Sequence, residues 1–119
     1  MKIRFLYNFL FINSCKEILF PLGIRGLIEL DDLVLVFIYG STEEEMESLP
    51  TNNVYAFNAK AEQVWQIQEP FQPEGIIVSY ADISLKKTGE IVAGTTQGTE
   101  YIVNSKNGSI TLIKDQRPW

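Results

Sequence analysis

Apolar positions run through this chain in short bursts, each closed by a cluster of turn-forming residues. Residues 3–12 are apolar with few breaks, the pattern of a buried strand or a pair of strands. A second short piece, residues 15–20, ends where Pro21, Gly23 and Gly26 punctuate the chain. Residues 24–30 and 33–39 are two further runs parted by Asp31 and Asp32, whose carboxylates bond nearby backbone amides and so predict a tight turn. In the second run Val34, Val36 and Ile38 face one way and Leu35, Phe37 and Tyr39 the other. With both faces apolar, this strand belongs at the centre of the core.

Residues 40–52, GSTEEEMESLPTN, are the one break in this composition. Ser41 with Glu44, and Thr42 with Glu45, each have capping-box spacing, so a single helical turn ended by Pro50 competes here with a solvated loop. From residue 53 the rhythm is regular. Strands are predicted at 53–58 and 63–68, with Trp65 and Ile67 on a packed face and Val64, Gln66 and Gln68 on a wetter one. A loop with two prolines spans 69–75, and strands follow at 76–85, 90–95, 99–103 and 109–114. The turn before the last strand ends in Asn107-Gly108, a hairpin signal that also accounts for the glycosylation-like triplet Asn107-Gly108-Ser109. The expectation is an all-β domain spanning 1–119, an antiparallel sandwich or a strongly coiled, barrel-like sheet. It would hold about 8–10 short strands, with at most one short helical turn near 42–48.

Composition supports this and narrows the chemistry. The chain has 119 residues, 45% hydrophobic and 21% charged, enough to bury a core without staples. Net charge is −5, yet without Glu43, Glu44, Glu45 and Glu47 eleven acids face ten bases, so the imbalance sits in one segment. Clustered Lys and Arg are missing, which sets nucleic acid aside as a partner. The absence of histidine removes Ser-His-Asp and Cys-His catalysis and nearly every usual zinc site. Glu29, Asp31 and Asp32, and Asp82 with Glu90, are the carboxylates close enough in sequence to consider for acid–base work. Nothing in their spacing fixes a catalytic separation. No phosphate-cradling glycine loop occurs, and the contiguous glutamates do not alternate as calcium ligands would. The reading is of a chain that is not an enzyme and takes no cofactor and no metal.

Cys15 is the only cysteine, so no intrachain disulfide forms, which accords with a cytoplasmic location. Lys2, Arg4 and the following apolar run ahead of Cys15 loosely suggest a lipoprotein signal. Asn8 interrupts that run and the apolar pattern continues through Ile18, Leu19 and Phe20, so an ordinary amino-terminal strand is the better reading. No run reaches the roughly 18 apolar residues of a membrane-spanning helix. Trp119, after Pro118, is expected to dock back on the sheet.

Two resemblances add to this. Residues 53–67, NVYAFNAKAEQVWQI, resemble one hairpin of the quinoprotein-type propeller repeat, with Ala61 standing where that repeat has its turn glycine. One such unit implies a local hairpin and no propeller. More widely, an apolar amino-terminal half, the hairpin just quoted, then Gly98, Tyr101, Val103, Gly108 and Ile110, and an Arg117-Pro118-Trp119 end, are similar to small bacterial immunity-type proteins of toxin systems, including contact-dependent inhibition. That resemblance implies a protein that binds and neutralises a toxin. On charge alone Glu43, Glu44, Glu45 and Glu47 are the residues to meet a basic partner. The rival readings are a small-molecule binder with an aromatic-lined cavity, and a structural homo-oligomer formed through an exposed strand edge.

Overall fold

A computed structural model describes residues 1–13 and 16–115. Cys15 and the Arg117-Pro118-Trp119 end, including the expected docking of Trp119, lie outside the described residues. Among the described residues eleven strands form three antiparallel sheets, each a simple meander. The first sheet holds β1 (Ile3–Leu6), β2 (Phe9–Ile12) and β3 (Lys16–Leu19). The second holds β4 (Ile24–Glu29), β5 (Leu33–Ile38), β6 (Val54–Asn58) and β7 (Gln63–Gln66). The third holds β8 (Tyr80–Leu85), β9 (Ile91–Thr95), β10 (Thr99–Val103) and β11 (Ile110–Asp115). The helix α1 (Glu43–Glu47) interrupts the second sheet between β5 and β6. The all-β antiparallel expectation holds; the sheets do not close into a barrel.

The second sheet is the middle layer, and the two-faced pattern of β5 is the reason. Leu35 and Phe37 pack with Val54, Ala56, Trp65, Tyr80, Ala93 and Tyr101 in a core shared with the third sheet. Val34, Val36 and Ile38 pack with Leu10, Ile12, Phe20 and Phe57 in a core shared with the first sheet. Alternation along β6 repeats the division, with Val54 and Ala56 on one side and Phe57 on the other. Such layering follows from strands whose side chains alternate but are apolar on both faces. Leu10 and Ile12 are wholly buried, so the amino-terminal run is part of the fold and supplies one wall of a core.

The layers are joined by polar clamps as well as apolar contact. Asn53 is wholly buried. Its Nδ2 donates to the carbonyls of Ile38 (2.8 Å) and Tyr80 (2.9 Å), and its Oδ1 accepts from the Tyr80 amide (3.0 Å). One side chain thus ties the end of β5 to the start of β8 across two sheets. Tyr80 in turn donates its hydroxyl to the Gln68 carbonyl (2.7 Å). Trp65 Nε1 donates to the Ser105 carbonyl (2.9 Å), and its ring lies against Gly108. A Cβ at Gly108 would fall 2.5 Å from that ring, and φ there is 77°, so glycine is required twice over.

Two expectations change in detail. The amino-terminal run is the pair of strands its pattern allowed, β1 and β2, turned at Tyr7 (φ 53°), and the described residues hold eleven strands where about 8–10 were expected. The predicted strand at 76–85 begins only at Tyr80. The cause is Gln72, whose side-chain amide bonds both backbone groups of Val78 (2.7 and 2.6 Å) and takes the place of a neighbouring strand. Ile77 is then left 81% exposed. Ala61, in the β6–β7 turn, holds a φ of 63° in the region that favours glycine, which locates the departure from the propeller hairpin.

Replacing Asn53 with Ala leaves the Tyr80 amide and two carbonyls short of a partner in a dry site. Each such group costs about 1–3 kcal/mol, so Asn53→Ala should lower unfolding free energy by about 3 kcal/mol or more, measured by urea denaturation. Burial is the main force pushing the Tyr80 hydroxyl well above the ordinary tyrosine range. The neutral ring is therefore favoured by the fold. Its stabilisation is intact below about pH 10 and is lost as pH rises from there through the folded value. Denaturation followed from pH 8 to 12 should show Tyr80→Phe less stable at neutral pH but less steeply weakened by alkali.

Candidate functional site

The acidic segment folds as a helix because its caps are in the sequence. Thr42 is the N-cap, accepting from the Glu45 amide at 3.1 Å, and the Glu45 carboxylate returns to accept from the Ser41 amide at 2.7 Å. Of the two capping-box spacings, the structure uses Thr42 with Glu45. At the other end the Ser48 amide bonds the Glu45 carbonyl (3.0 Å). The helix lies back over Gly40, where a Cβ would come within 2.8 Å of the Met46 nitrogen. Met46 and Leu49 point into the core beside Phe57 and Ile38.

This folding separates the four candidate glutamates. Glu45 is committed to structure: besides the cap, it accepts at 3.3 Å from the Tyr7 hydroxyl at the β1–β2 turn. The Glu45 charge is the chief cause of an upward shift in the Tyr7 hydroxyl. Glu43, Glu44 and Glu47 are exposed. Glu43 and Glu47, one helical turn apart, border a groove of about 810 Å³, and Glu44 does not. Across the groove stands Ile77, from the loop that Gln72 holds out of the sheet, and Met46, Leu49 and Pro50 contribute apolar surface. The site is thus an open, acid-flanked apolar groove. The segment 40–51 and the loop before β8 build it together, and only the acidic half was readable from charge pattern. Ile77 was missed because an Ile-Ile-Val run reads as strand; the signal against it was the Gln72 with its flanking prolines.

Among the described residues no three His, Cys, Asp or Glu side chains lie together as metal ligands would. Asp82 accepts from the Gly94 amide at 3.2 Å, a backbone contact beside the irregular β8–β9 pairing. The layers are filled by wholly buried Leu35, Val54, Ile67 and Tyr80. The space between Phe71, Val78, Tyr101 and Leu112 is about 110 Å³, under the roughly 300 Å³ of small-molecule pockets. No helix among the described residues is long and apolar enough to cross a membrane.

Residues 1–114 match a family described as a domain of unknown function, DUF7957. The chain belongs to that family. The match runs from the first sheet to the last strand, so all three layers and α1 of the DUF7957 fold fall within it. Neither the curated proteins nor the solved structures yield a match.

The cap gives a direct check on the groove's acidic wall. Thr42→Ala removes the side-chain acceptor for the Glu45 amide and should cost about 1 kcal/mol. Faster amide hydrogen exchange at residues 43–47, with the strands unchanged, is the expected result.

Proposed function

We propose that this chain is a non-enzymatic protein-binding module of the immunity or inhibitor kind, which takes a basic segment of a partner such as a toxin into the groove beside α1. The observation that carries this reading is that Glu43 and Glu47 line one groove with the apolar side chains of Met46, Pro50 and exposed Ile77. Exposed carboxylates raise association rates for a positively charged partner and repel acidic ones. Burying exposed Ile77 removes apolar surface from water and so favours the bound state. The resemblance to immunity-type proteins points the same way. The single cysteine accords with action in the cytoplasm.

Four chains immobilised for capture from lysate of the native host test this: the unmodified chain, Glu43→Gln with Glu47→Gln, Ile77→Ser, and Glu44→Gln. A basic protein should be retained by the unmodified and Glu44→Gln chains, and lost by the other two. Raising salt from 0.05 to 0.5 M, as approximate bounds, should weaken retention. If the doubly neutralised chain holds the same protein equally well, or no protein is captured, the groove is not a basic-partner site.

A further inference from the structure

The first sheet covers the middle layer with one face and leaves the other bare. Strand register defines that outer face as two rows. One row is Leu6, Phe9 and Leu19; the other is Arg4, Phe11 and Glu17. On the alternate positions Ile3, Leu10, Ile12 and Ile18 join the core, while Phe5, opposite Leu10, stays 48% exposed. Leu6 is 72% exposed and Leu19 63%, at the two sides of Phe9. Two large aliphatic side chains flanking an aromatic on one sheet face make a patch of the kind that marks an interaction surface.

We infer that this face pairs with the same face of a second copy of the chain. The argument is its charge arrangement. Arg4 stands on β1 and Glu17 on β3, in the same register row with Phe11 between them. A two-fold axis lying between two such sheets, parallel to the strands, lays β1 of one copy over β3 of the other and β2 over β2. Arg4 then meets the other copy's Glu17, twice by symmetry. Leu6 meets Leu19, and each phenylalanine meets its own equivalent. Every side chain in the two rows finds a complementary one, as an isologous contact requires. Sheets stacked face to face lie about 10 Å apart, within reach of arginine and glutamate from opposite layers. The Arg4 guanidinium already lies 5.4 Å from the centre of the Phe11 ring, over the face to be covered.

Six side chains are a small contact, short of the roughly 800 Å² per partner of standard interfaces. The dimer is therefore weak, with a dissociation constant on the order of 100 µM. It uses a sheet face, not a strand edge, and shares none of the groove's lining residues.

Sedimentation velocity from about 5 to about 500 µM, a range bracketing that constant, tests the pairing on the full chain. The unmodified protein should pass from monomer to dimer. Arg4→Glu alone and Glu17→Arg alone should each weaken association about tenfold or more, since like charges then face each other. An equimolar mixture of the two single variants should restore it, because each chain supplies the charge the other needs. Leu6→Asp with Leu19→Asp should abolish association; both side chains are already exposed, and circular dichroism would check that the sheets persist. Glu43→Gln with Glu47→Gln should leave it unchanged, which separates this surface from the groove. A monomer at every concentration overturns the proposal, and so does a dimer indifferent to Arg4, Glu17, Leu6 and Leu19.

Discussion

The second and third sheets are fixed to each other at one buried side-chain amide. Asn53 stands where β5 has ended and β6 begins, and from there it bonds to both the second and the third sheet. Apolar layers attract one another without fixing their relative position, since the hydrophobic effect is non-directional. Hydrogen bonds of about 2.8–3.0 Å to named backbone atoms do fix it. The Ile38 amide also donates to the Asn53 backbone carbonyl at 3.1 Å, so side chain and main chain act at one point. With Tyr80 held there, the β8–β11 meander starts in a defined place, and Tyr101 packs edge-on against Tyr80, centroids 6.4 Å apart. Gln72 solves the same problem beside it, giving Val78 the bonds that a strand would have supplied.

Much of this architecture was legible in the sequence where it depends on alternation. The two-faced run at 33–39 announces a central strand, and it became the middle of three layers. Trp65 and Ile67 against Val64 and Gln66 announces a strand with one packed side, and Val64 is indeed 47% exposed. What alternation cannot show is a polar side chain standing in for backbone. An asparagine opening the strand predicted over 53–58 reads as an ordinary strand residue, and a glutamine between prolines reads as loop. Both proved to be clamps: Asn53 reaches forward to Tyr80 in the next sheet, and Gln72 closes its own loop on Val78. The loop bearing Ile77 was misread for the same reason. Stacking in three layers was also out of reach, because pattern reports which faces are apolar but not which faces meet.

The acidic segment shows how charge composition overstates a site. Four glutamates in a short stretch look equivalent until the caps are considered. Glu45 then sits where it must close the helix, and its carboxylate is occupied by an amide and a tyrosine hydroxyl. Glu44 turns away from the groove, leaving Glu43 and Glu47 beside it. Where the described layers meet, the space is filled by buried side chains such as Leu35, Val54, Ile67 and Tyr80. The proposed groove and the proposed pairing face are both peripheral, and both rest on apolar side chains left exposed next to charge.

Those two surfaces converge on one residue. Tyr7 follows Leu6 directly, at the turn closing the outer face of the first sheet. Its ring packs on Gly23, where a Cβ would come within 2.8 Å, and its carbonyl accepts from the Ile24 amide at 2.7 Å. Its hydroxyl reaches Glu45 on the helix that walls the groove. The β1–β2 turn therefore cannot shift relative to α1 without breaking a bond to the same carboxylate that caps the helix. A left-handed backbone at Tyr7, uncommon for a bulky side chain, makes geometric sense here. It turns the ring back over Gly23 and toward α1, where an extended residue would have continued the strand into solvent.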